Sequence, residues 1–283
     1  MLLHNFPFDE RNNITYPVVV NPGVAMTGTS LHFENLTLGY QGHPAVHHID
    51  GEVARGALTA IVGANGAGKS TLMKGIASIL RPIEGRCTVS CNRLAYLPQQ
   101  SELDRSFPAR VIDLVSMGFW QRRGLLGRIT AQDRAELAAA LKAVGLTGFE
   151  KRPLDSLSGG QMQRTLFART MLQDADLILL DEPFNAVDSR TVRDLIDLIK
   201  RWSVEGRTVL CVLHDLDLVR EHFPQAFLLA RSLVAAGPTA QVLTAKNLAL
   251  ARDFQESWDE QAGLCVANPG VASADNVRVG LHV

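Results

Sequence analysis

The sequence predicts an α/β fold built on a mainly parallel sheet that is flanked by helices. From about residue 160 onward, short apolar runs typical of buried strands alternate with segments of helical apolar spacing, as in a parallel sheet covered on both faces. Before it, residues 31–62 alternate apolar and polar side chains between glycines, which predicts antiparallel strands. A block of helical pattern lies between Gln99 and Leu157. We therefore expect an antiparallel β subdomain and an inserted α-helical subdomain beside the main sheet.

The individual elements follow in order along the chain. Residues 69–80 predict the first helix and residues 85–97 a pair of strands, and the helical block begins at Pro108. The later elements are a helix at about 160–172, strands at Leu177–Leu180 and Thr208–Leu213, helices at Ser189–Trp202 and Asp217–Glu221, a hairpin at Gln225–Ala236 and a helix at Thr239–Ala251. We divide the chain into a loosely ordered N-terminal extension (1–29), one domain (30–252) whose helical part covers about 103–165, and a C-terminal tail (253–283).

Composition and charge exclude several classes of protein. The 283 residues carry a net charge of −1, so the chain has no basic field that would attract nucleic acid or an anionic membrane. No apolar run approaches the roughly 20 residues needed to cross a bilayer. The N-terminus has no basic segment before an apolar core, as a secretory signal would. We expect a cytosolic protein with no nucleic-acid partner.

The cysteines are interpreted as structural residues. Cys87 and Cys91 lie in a strand-like segment, where four residues span roughly 13 Å. That distance is too long for a disulfide and unsuited to a single metal ion. We therefore expect four reduced thiols, at Cys87, Cys91, Cys211 and Cys265.

Three histidines cluster near Pro44, at positions 43, 47 and 48. A zinc site is one interpretation of His43, His47 and His48, but no carboxylate or thiol that would complete it is near in sequence. A solvated hairpin is the interpretation that we favour.

A glycine-rich loop is the strongest motif of the chain. It follows the apolar run Leu58–Val62 and precedes the helical segment 69–80, and strand, loop and helix are the context that a phosphate-binding loop requires. Its glycines let backbone N–H groups converge on phosphate oxygens, while Lys69 can reach the β and γ phosphates and the Ser70 hydroxyl can hold Mg²⁺. The motif consists of Gly63, Ala64, Asn65, Gly66, Ala67, Gly68, Lys69, Ser70 and Thr71.

Two carboxylates end a later strand. Asp181 and Glu182 follow the apolar run Leu177–Leu180, and ligands gather at the carboxyl ends of the strands in a parallel sheet. Asp181 can therefore meet the Mg²⁺ held by Ser70, directly or through water. Glu182 points differently and can polarise an attacking water as a general base.

A capped helix start is the second strong motif. In the run Leu157–Gln161, Ser158 can cap a helix whose first turn contains Gly159 and Gly160. A helix start without bulky side chains can approach a γ-phosphate closely.

Taken together, these motifs resemble those of the ATP-binding cassette (ABC) family of transporter ATPases. The phosphate loop is similar to the family's first nucleotide motif, residues 157–161 to its signature sequence and residues 177–182 to its second nucleotide motif. The resemblance covers about residues 31–250. Further matches are Tyr40 to the aromatic that stacks on adenine, Gln99 to the sensing glutamine, His214 to the switch histidine, and Asn185–Asp188 to the loop that crosses between subunits, where the family more often has Ser-Ala-Leu-Asp.

The resemblance implies an ABC-type P-loop ATPase that hydrolyses ATP with Mg²⁺. A second copy of the chain would pair with it head to tail, so that each ATP lies between one copy's phosphate loop and the other copy's signature segment. The implied catalytic residues are Lys69, Gln99, Glu182 and His214, and the implied Mg²⁺ ligands are Ser70, Gln99 and Asp181. The implied ATP contacts are Tyr40, the nine loop residues, Ser158, Gly159, Gly160, Gln161 and Asp188.

The same resemblance implies a transport role at the cytoplasmic face of the cell membrane. The chain would act on a separate integral membrane permease and, indirectly, with an extracytoplasmic substrate-binding protein. The segment Ser101–Gly118 resembles that of zinc, manganese and iron importers, and Phe107, Phe119 and Trp120 either line a docking groove or only pack the helical part. The alternatives are haem or siderophore uptake, an exporter, a soluble non-transport ABC ATPase, and a nucleotide-binding scaffold without turnover.

Overall fold

The computed structural model describes residues 28–99, 108–124, 127–185 and 187–256. Nearly all of the two predicted terminal segments, 1–29 and 253–283, lies outside the described residues, as do Phe107 and Cys265. The division of the chain into these segments and one domain stays a prediction.

Nine strands in the described residues form two sheets. They are β1 (Thr29–Tyr40), β2 (His43–Ala54), β3 (Leu58–Val62), β4 (Pro82–Val89), β5 (Leu94–Leu97), β6 (Leu177–Asp181), β7 (Thr208–Val212), β8 (Gln225–Ala230) and β9 (Ser232–Pro238). The larger sheet has the order β5-β6-β7-β3-β8-β9 and is parallel except for the antiparallel pair β8 and β9. The smaller sheet is antiparallel, in the order β2-β1-β4.

Helices connect and cover these strands. They are α1 (Lys69–Ile76), α2 (Val111–Ser116), α3 (Trp120–Arg123), α4 (Ala131–Ala143), α5 (Gly159–Leu172), α6 (Ser189–Val204), α7 (Leu216–His222), α8 (Thr239–Val242) and α9 (Ala245–Glu256), with short 3₁₀ turns at Met117–Phe119 and Leu154–Ser156. Both α2 and α4 pack against α5. No helix in the described ranges combines the length and the apolar character that a membrane crossing requires.

The larger sheet is apolar on both faces, which explains the continuous apolar runs of β3, β6 and β7. Successive side chains of a strand point to opposite faces, and Ala60 and Val62 accordingly lie in the core cluster that contains α5 and α6. Ile61, between them, lies in a second cluster with α1 and the smaller sheet. The predicted α/β class, with a parallel-rich sheet, an antiparallel subdomain and helices inserted between β5 and β6, is confirmed.

Two expectations about strand pairing were wrong. Residues 58–62 were grouped with antiparallel strands, but β3 pairs in parallel with β7 and β8. Residues 85–97 do not form a strand pair, because β4 joins β1 in the smaller sheet and β5 joins β6 in the larger one. The chain therefore passes from the smaller sheet to the larger one between β4 and β5. Asp176 fixes this passage, because its Oδ2 accepts hydrogen bonds from the backbone N–H groups of Asn92 (2.9 Å) and Arg93 (3.2 Å).

The helix expected at Thr239–Ala251 is in fact two helices. Leu243 leaves the helical region, with ψ at 46°, and ends α8. The Thr244 hydroxyl then accepts a hydrogen bond from the backbone N–H of Asn247 at 3.2 Å and so begins α9 in the manner of an N-cap.

Candidate nucleotide site

The glycine-rich loop joins β3 to α1 and is held from both sides. A Cβ at Gly63 would lie 2.2 Å from the carbonyl oxygen of Leu229, and one at Gly68, whose φ is +90°, would lie 2.2 Å from Cγ1 of Val46. Both positions therefore require glycine. Behind the loop, the Ala67 carbonyl accepts a hydrogen bond from the backbone N–H of Arg231 at 3.0 Å, so the loop shape is fixed by β8, β9 and the smaller sheet.

Lys69 is the buried cation of this loop. Its Nζ donates hydrogen bonds to the carbonyl oxygens of Gly63 (2.9 Å) and Ala64 (2.8 Å), which curls the side chain over its own loop. Burial lowers the pKa of the Lys69 ammonium, and the nearby carboxylates of Glu182 and Asp181 oppose that shift. The charge is thus held where phosphate oxygens, which are stronger acceptors than neutral carbonyls, would meet it.

Asp181 ends β6 beside the start of α1. Its Oδ1 accepts a hydrogen bond from Ser70 Oγ at 3.2 Å, and its Oδ2 lies 3.4 Å from the donating Tyr96 hydroxyl. The side chain is fully buried. A hydroxyl and a carboxylate oxygen this close are ligands that Mg²⁺ prefers, so the pair fits the predicted magnesium site.

Glu182, one residue further, turns into a different set of partners. Its backbone is in the left-handed region, with φ at +50°, a conformation that costs a non-glycine residue energy and is often found at functional sites. Oε2 accepts hydrogen bonds from Gln99 Nε2 (2.8 Å) and Asn185 Nδ2 (2.5 Å), and His214 Nε2 lies 2.5 Å from Oε1. The structure therefore brings Gln99, Glu182 and His214 together, while their role in catalysis stays a prediction.

One open cavity of about 830 Å³ connects the phosphate loop with this carboxylate cluster. Gly63 and Ala64 instead line a smaller neighbouring cavity, which also contains Asn65 and His214. The described residues that line the larger cavity are Ala45, Asn65, Gly66, Gly68, Lys69, Ser70, Thr71, Gln99, Glu182, Asn185 and His214.

The signature segment is well formed but lies outside that cavity lining. Ser158 Oγ accepts a hydrogen bond from the Gln161 backbone N–H (3.3 Å), and Gln161 Oε1 accepts one from the Ser158 backbone N–H (3.0 Å). This reciprocal pair is a capping box, and it leaves Gly159 and Gly160 in the first turn of α5. Four of the expected ATP contacts, Ser158 to Gln161, are therefore not brought to the phosphate loop of the same chain.

Asp188 and Tyr40 are also not among the residues that line the cavity. Asp188 caps α6, where the Thr191 hydroxyl and backbone N–H donate to its carboxylate and hold the carboxyl pKa below its usual value. Arg164 in α5 lies 3.6 Å from the same carboxylate, which links the signature helix to the loop before α6. Tyr40 ends β1 with 46% of its surface exposed.

Two contacts of the site were not predicted from sequence. One is the hydrogen bond from the Asn185 amide to Glu182, which depends on the turn after β6. The other is the approach of the Tyr96 hydroxyl to Asp181, which depends on the placement of the neighbouring strand β5. The sequence did contain a signal for the Asn185 contact. Asn185 follows Glu182 by only three residues, and it stands at a position where the resembled family more often has serine.

Other candidate residues have structural roles. His47 is buried, with 5% of its surface exposed, so the expectation of a solvated hairpin is wrong there. The described part of the chain has no group of three histidine, cysteine, aspartate or glutamate side chains that could hold a metal ion. Cys87, Cys91 and Cys211 are buried and unpaired. Phe119 packs in the core at 2% exposure, whereas Trp120 is 39% exposed.

Comparisons with known proteins agree with this geometry. A family model described as ABC transporter matches residues 46–185. The manganese transport system ATP-binding protein of Listeria monocytogenes is 36% identical, over 78% of this chain and 95% of its own length. The zinc transport system ATP-binding protein of Treponema pallidum is 37% identical, over 78% of this chain and 86% of its own length.

A solved structure supports the same grouping. It shows a transporter assigned to the metal-chelate ABC type in an inward-facing conformation, and one of its chains is 30% identical with a TM-score of 0.71. The match covers 80% of this chain and 90% of that chain.

Proposed function

The chain belongs to the ABC transporter family, and we propose that it is the ATP-hydrolysing subunit of an importer whose cargo is manganese, zinc or iron. The observation that carries the proposal is the single cavity in which Lys69, Ser70, Glu182 and His214 meet. Manganese and zinc are carried over from the two relatives named for their transport, and iron comes from the resemblance of residues 101–118 to importer segments.

ATP binding would use the fixed loop and its buried cation. Backbone N–H groups at the start of α1 and the Lys69 ammonium supply positive potential for the β and γ phosphates. Ser70 Oγ and Asp181 Oδ1 would hold Mg²⁺, with Gln99 as a further predicted ligand from the cavity wall. When bound, Mg²⁺ neutralises phosphate charge and orients the γ-phosphoryl group.

Hydrolysis would use the carboxylate cluster beside the loop. Glu182 orients the attacking water and accepts its proton. His214, hydrogen-bonded to Glu182 Oε1, fixes the direction of that carboxylate. It lines the same cavity, where it would also help to stabilise charge on the γ-phosphoryl oxygens. Gln99 holds Oε2 from the opposite side.

A second copy of the chain would complete each site. The α5 start, Ser158 to Gln161, would cover the γ-phosphate bound by the other copy's loop, with Asp188 near the same junction and Tyr40 against the adenine. ATP would join the two copies, and hydrolysis would release them.

The pair would work on an integral membrane permease at the cytoplasmic face, with an extracytoplasmic binding protein delivering the ion. Trp120, the first residue of α3, and Met117, in the 3₁₀ turn before it, are both exposed and would be available for that permease.

Uptake of radiolabelled Mn²⁺, Zn²⁺ and iron by cells lacking this chain tests the proposal. We expect one uptake to be lost and then restored by the wild-type chain but not by Glu182→Gln. Glu205→Gln, an exposed glutamate at the end of α6 that pairs with Arg207, is the matched control and should restore uptake. Unchanged uptake of all three metals would contradict the cargo, and absence of Mg²⁺-dependent ATPase activity in the purified chain would contradict the ATPase role itself.

A further inference from the structure

Asn185 contacts the proposed water-activating carboxylate of Glu182 from the turn that follows β6. Its backbone N–H lies 3.4 Å from the Glu182 carbonyl oxygen, in a turn that follows β6. That turn folds the side chain back, and Nδ2 donates to Glu182 Oε2 at 2.5 Å. Residues 182 and 185 are therefore coupled by the backbone and by their side chains.

The two amides on Oε2 leave the two carboxylate oxygens in different surroundings. Gln99 and Asn185 both donate to Oε2, and His214 faces Oε1. Because a carboxylate is planar, fixing Oε2 from two directions also fixes where Oε1 points. A carboxylate oxygen can accept two hydrogen bonds, so Oε1 can take a water proton while it still contacts His214.

We propose that Asn185 is a positioning residue that aims Glu182 for water activation through its donated amide hydrogen bond. The inference rests on the proposed ATPase function. Asn185 is itself exposed and lines both the nucleotide cavity and the groove between α6 and α7. A copy of the chain docked on this face would touch Asn185 and so act on the direction of Glu182.

Steady-state ATP hydrolysis by Asn185→Ala, Asn185→Ser and Asn185→Asp tests the proposal. Loss of the donor lets the carboxylate rotate, and a misplacement of about 1 Å lowers turnover by roughly 10- to 100-fold. We expect kcat to fall about that much in Asn185→Ala with KM for ATP within about twofold. Asn185→Ser, which keeps a donor, should retain more activity. Asn92→Ala, an exposed asparagine between β4 and β5, should match the wild type.

The Asn185→Asp variant gives a signature that a merely structural role would not produce. At high pH the introduced carboxylate repels Glu182, whereas its protonated form at low pH can donate an O–H in place of the amide. The ratio of its kcat to that of the wild type should rise as the pH falls from 8 to about 5, where the introduced carboxyl beside Glu182 begins to take up a proton. Lys69, Asp181 and His214 also face this cluster, but they are present in both proteins, so their effects on kcat largely cancel in the ratio.

Each outcome decides the inference. Binding of a fluorescent ATP analogue with wild-type affinity would show that the variants are folded. An Asn185→Ala variant with wild-type kcat, or with raised kcat, would overturn the positioning role while leaving the ATPase function intact. A pH-independent ratio for Asn185→Asp would do the same. An inactive wild-type chain would instead overturn the proposed function and this inference together.

Discussion

The carboxyl edge of the larger sheet and the start of α5 carry the two strongest motifs of the chain, but they differ in what surrounds them. At the sheet edge, Lys69, Ser70, Asp181 and Glu182 are buried or half-buried and are joined to their neighbours by hydrogen bonds. At the start of α5, Ser158 and Gln161 bond to each other and lie outside the lining of the nucleotide cavity.

This difference supports the proposal that the sheet edge forms one half of a nucleotide site and that the start of α5 completes the site of another copy. A helix start concentrates positive potential and presents N–H groups, and its natural partner is an anion. The two glycines keep that end narrow. Because the start of α5 does not line the cavity of the phosphate loop in the same chain, we propose that its anion is bound by a second copy.

The largest effect is expected at the sheet edge, in Glu182→Gln. Without the carboxylate no group in the cluster accepts the water proton, so we expect Mg²⁺-dependent phosphate release to fall by about 100-fold or more. Affinity for ATP should change little, because the loop and Lys69 are untouched. A variant that retains the wild-type turnover rate would contradict the role of Glu182. Glu205→Gln serves again as the control.

Lys69→Ala should weaken nucleotide binding instead of only slowing turnover. Removing a charge-assisted contact to phosphate is expected to raise the dissociation constant for ATP by roughly tenfold or more. Equilibrium binding of a fluorescent ATP analogue measures this change. Lys142→Ala, an exposed lysine in α4, is the matched control. Equal affinity in both variants would contradict the assignment of Lys69 to the phosphates.

Asp133→Asn should reduce stability in the helical part without changing ATP affinity. Arg123, Thr130 and Arg122 all donate to the buried Asp133 carboxylate, and the Arg123 bond contributes most to lowering its pKa. The folded pKa lies below the unfolded value of 3.8, so the stabilisation is complete at neutral pH and is lost as the pH falls towards the folded pKa. We expect Tm to drop by a few degrees at pH 7 and the difference from wild type to shrink below about pH 4.

Asp217→Asn is the control for that measurement, because the Asp217 side chain is 94% exposed and pairs only at the surface with Arg220. Thermal unfolding followed by circular dichroism gives Tm for both variants. A Tm for Asp133→Asn that equals the wild type at pH 7 would show that the buried carboxylate does not anchor α4.

The smallest effect is expected for alkylation of the Cys87 and Cys91 thiols, which lie away from the nucleotide cavity. Burial raises the pKa of the Cys87 thiol to about 12 and that of Cys91 to about 11, so very little reactive thiolate is present at pH 8. Peptide mapping after brief alkylation should find both cysteines unmodified in the native chain and modified in urea. Rapid labelling of either in the native chain would contradict their burial.

The sequence predicts most of the candidate site at the sheet edge, because the patterns that place its residues are local in the chain. Lys69, Ser70, Asp181 and Glu182 each lie within a few residues of a strand or helix end that an apolar pattern marks, and topology then brings those ends together. The pairing of β4 and β5 was wrong because Asp176, more than 80 residues away, draws the chain at Asn92 and Arg93 into the other sheet. The Asn185 contact was missed because it depends on the left-handed backbone at Glu182. The proposed contact of Ser158 with a nucleotide stays a prediction, because it requires a second copy.

The most direct test of two copies enclosing ATP is the mass of the Glu182→Gln chain in Mg²⁺-ATP, measured by light scattering with and without a second change, Gly160→Glu. A glutamate in the first turn of α5 repels the phosphate of the facing copy but leaves the loop intact. Gln132→Glu, which places the same charge in the first turn of α4, is the control. We expect the Glu182→Gln chain to double in mass with ATP, and the chain that also carries Gln132→Glu to do the same. The chain that combines Glu182→Gln with Gly160→Glu should stay a monomer that still binds ATP. A chain with Gly160→Glu that doubles in mass as readily, or a Glu182→Gln chain that stays monomeric with ATP bound, would contradict it.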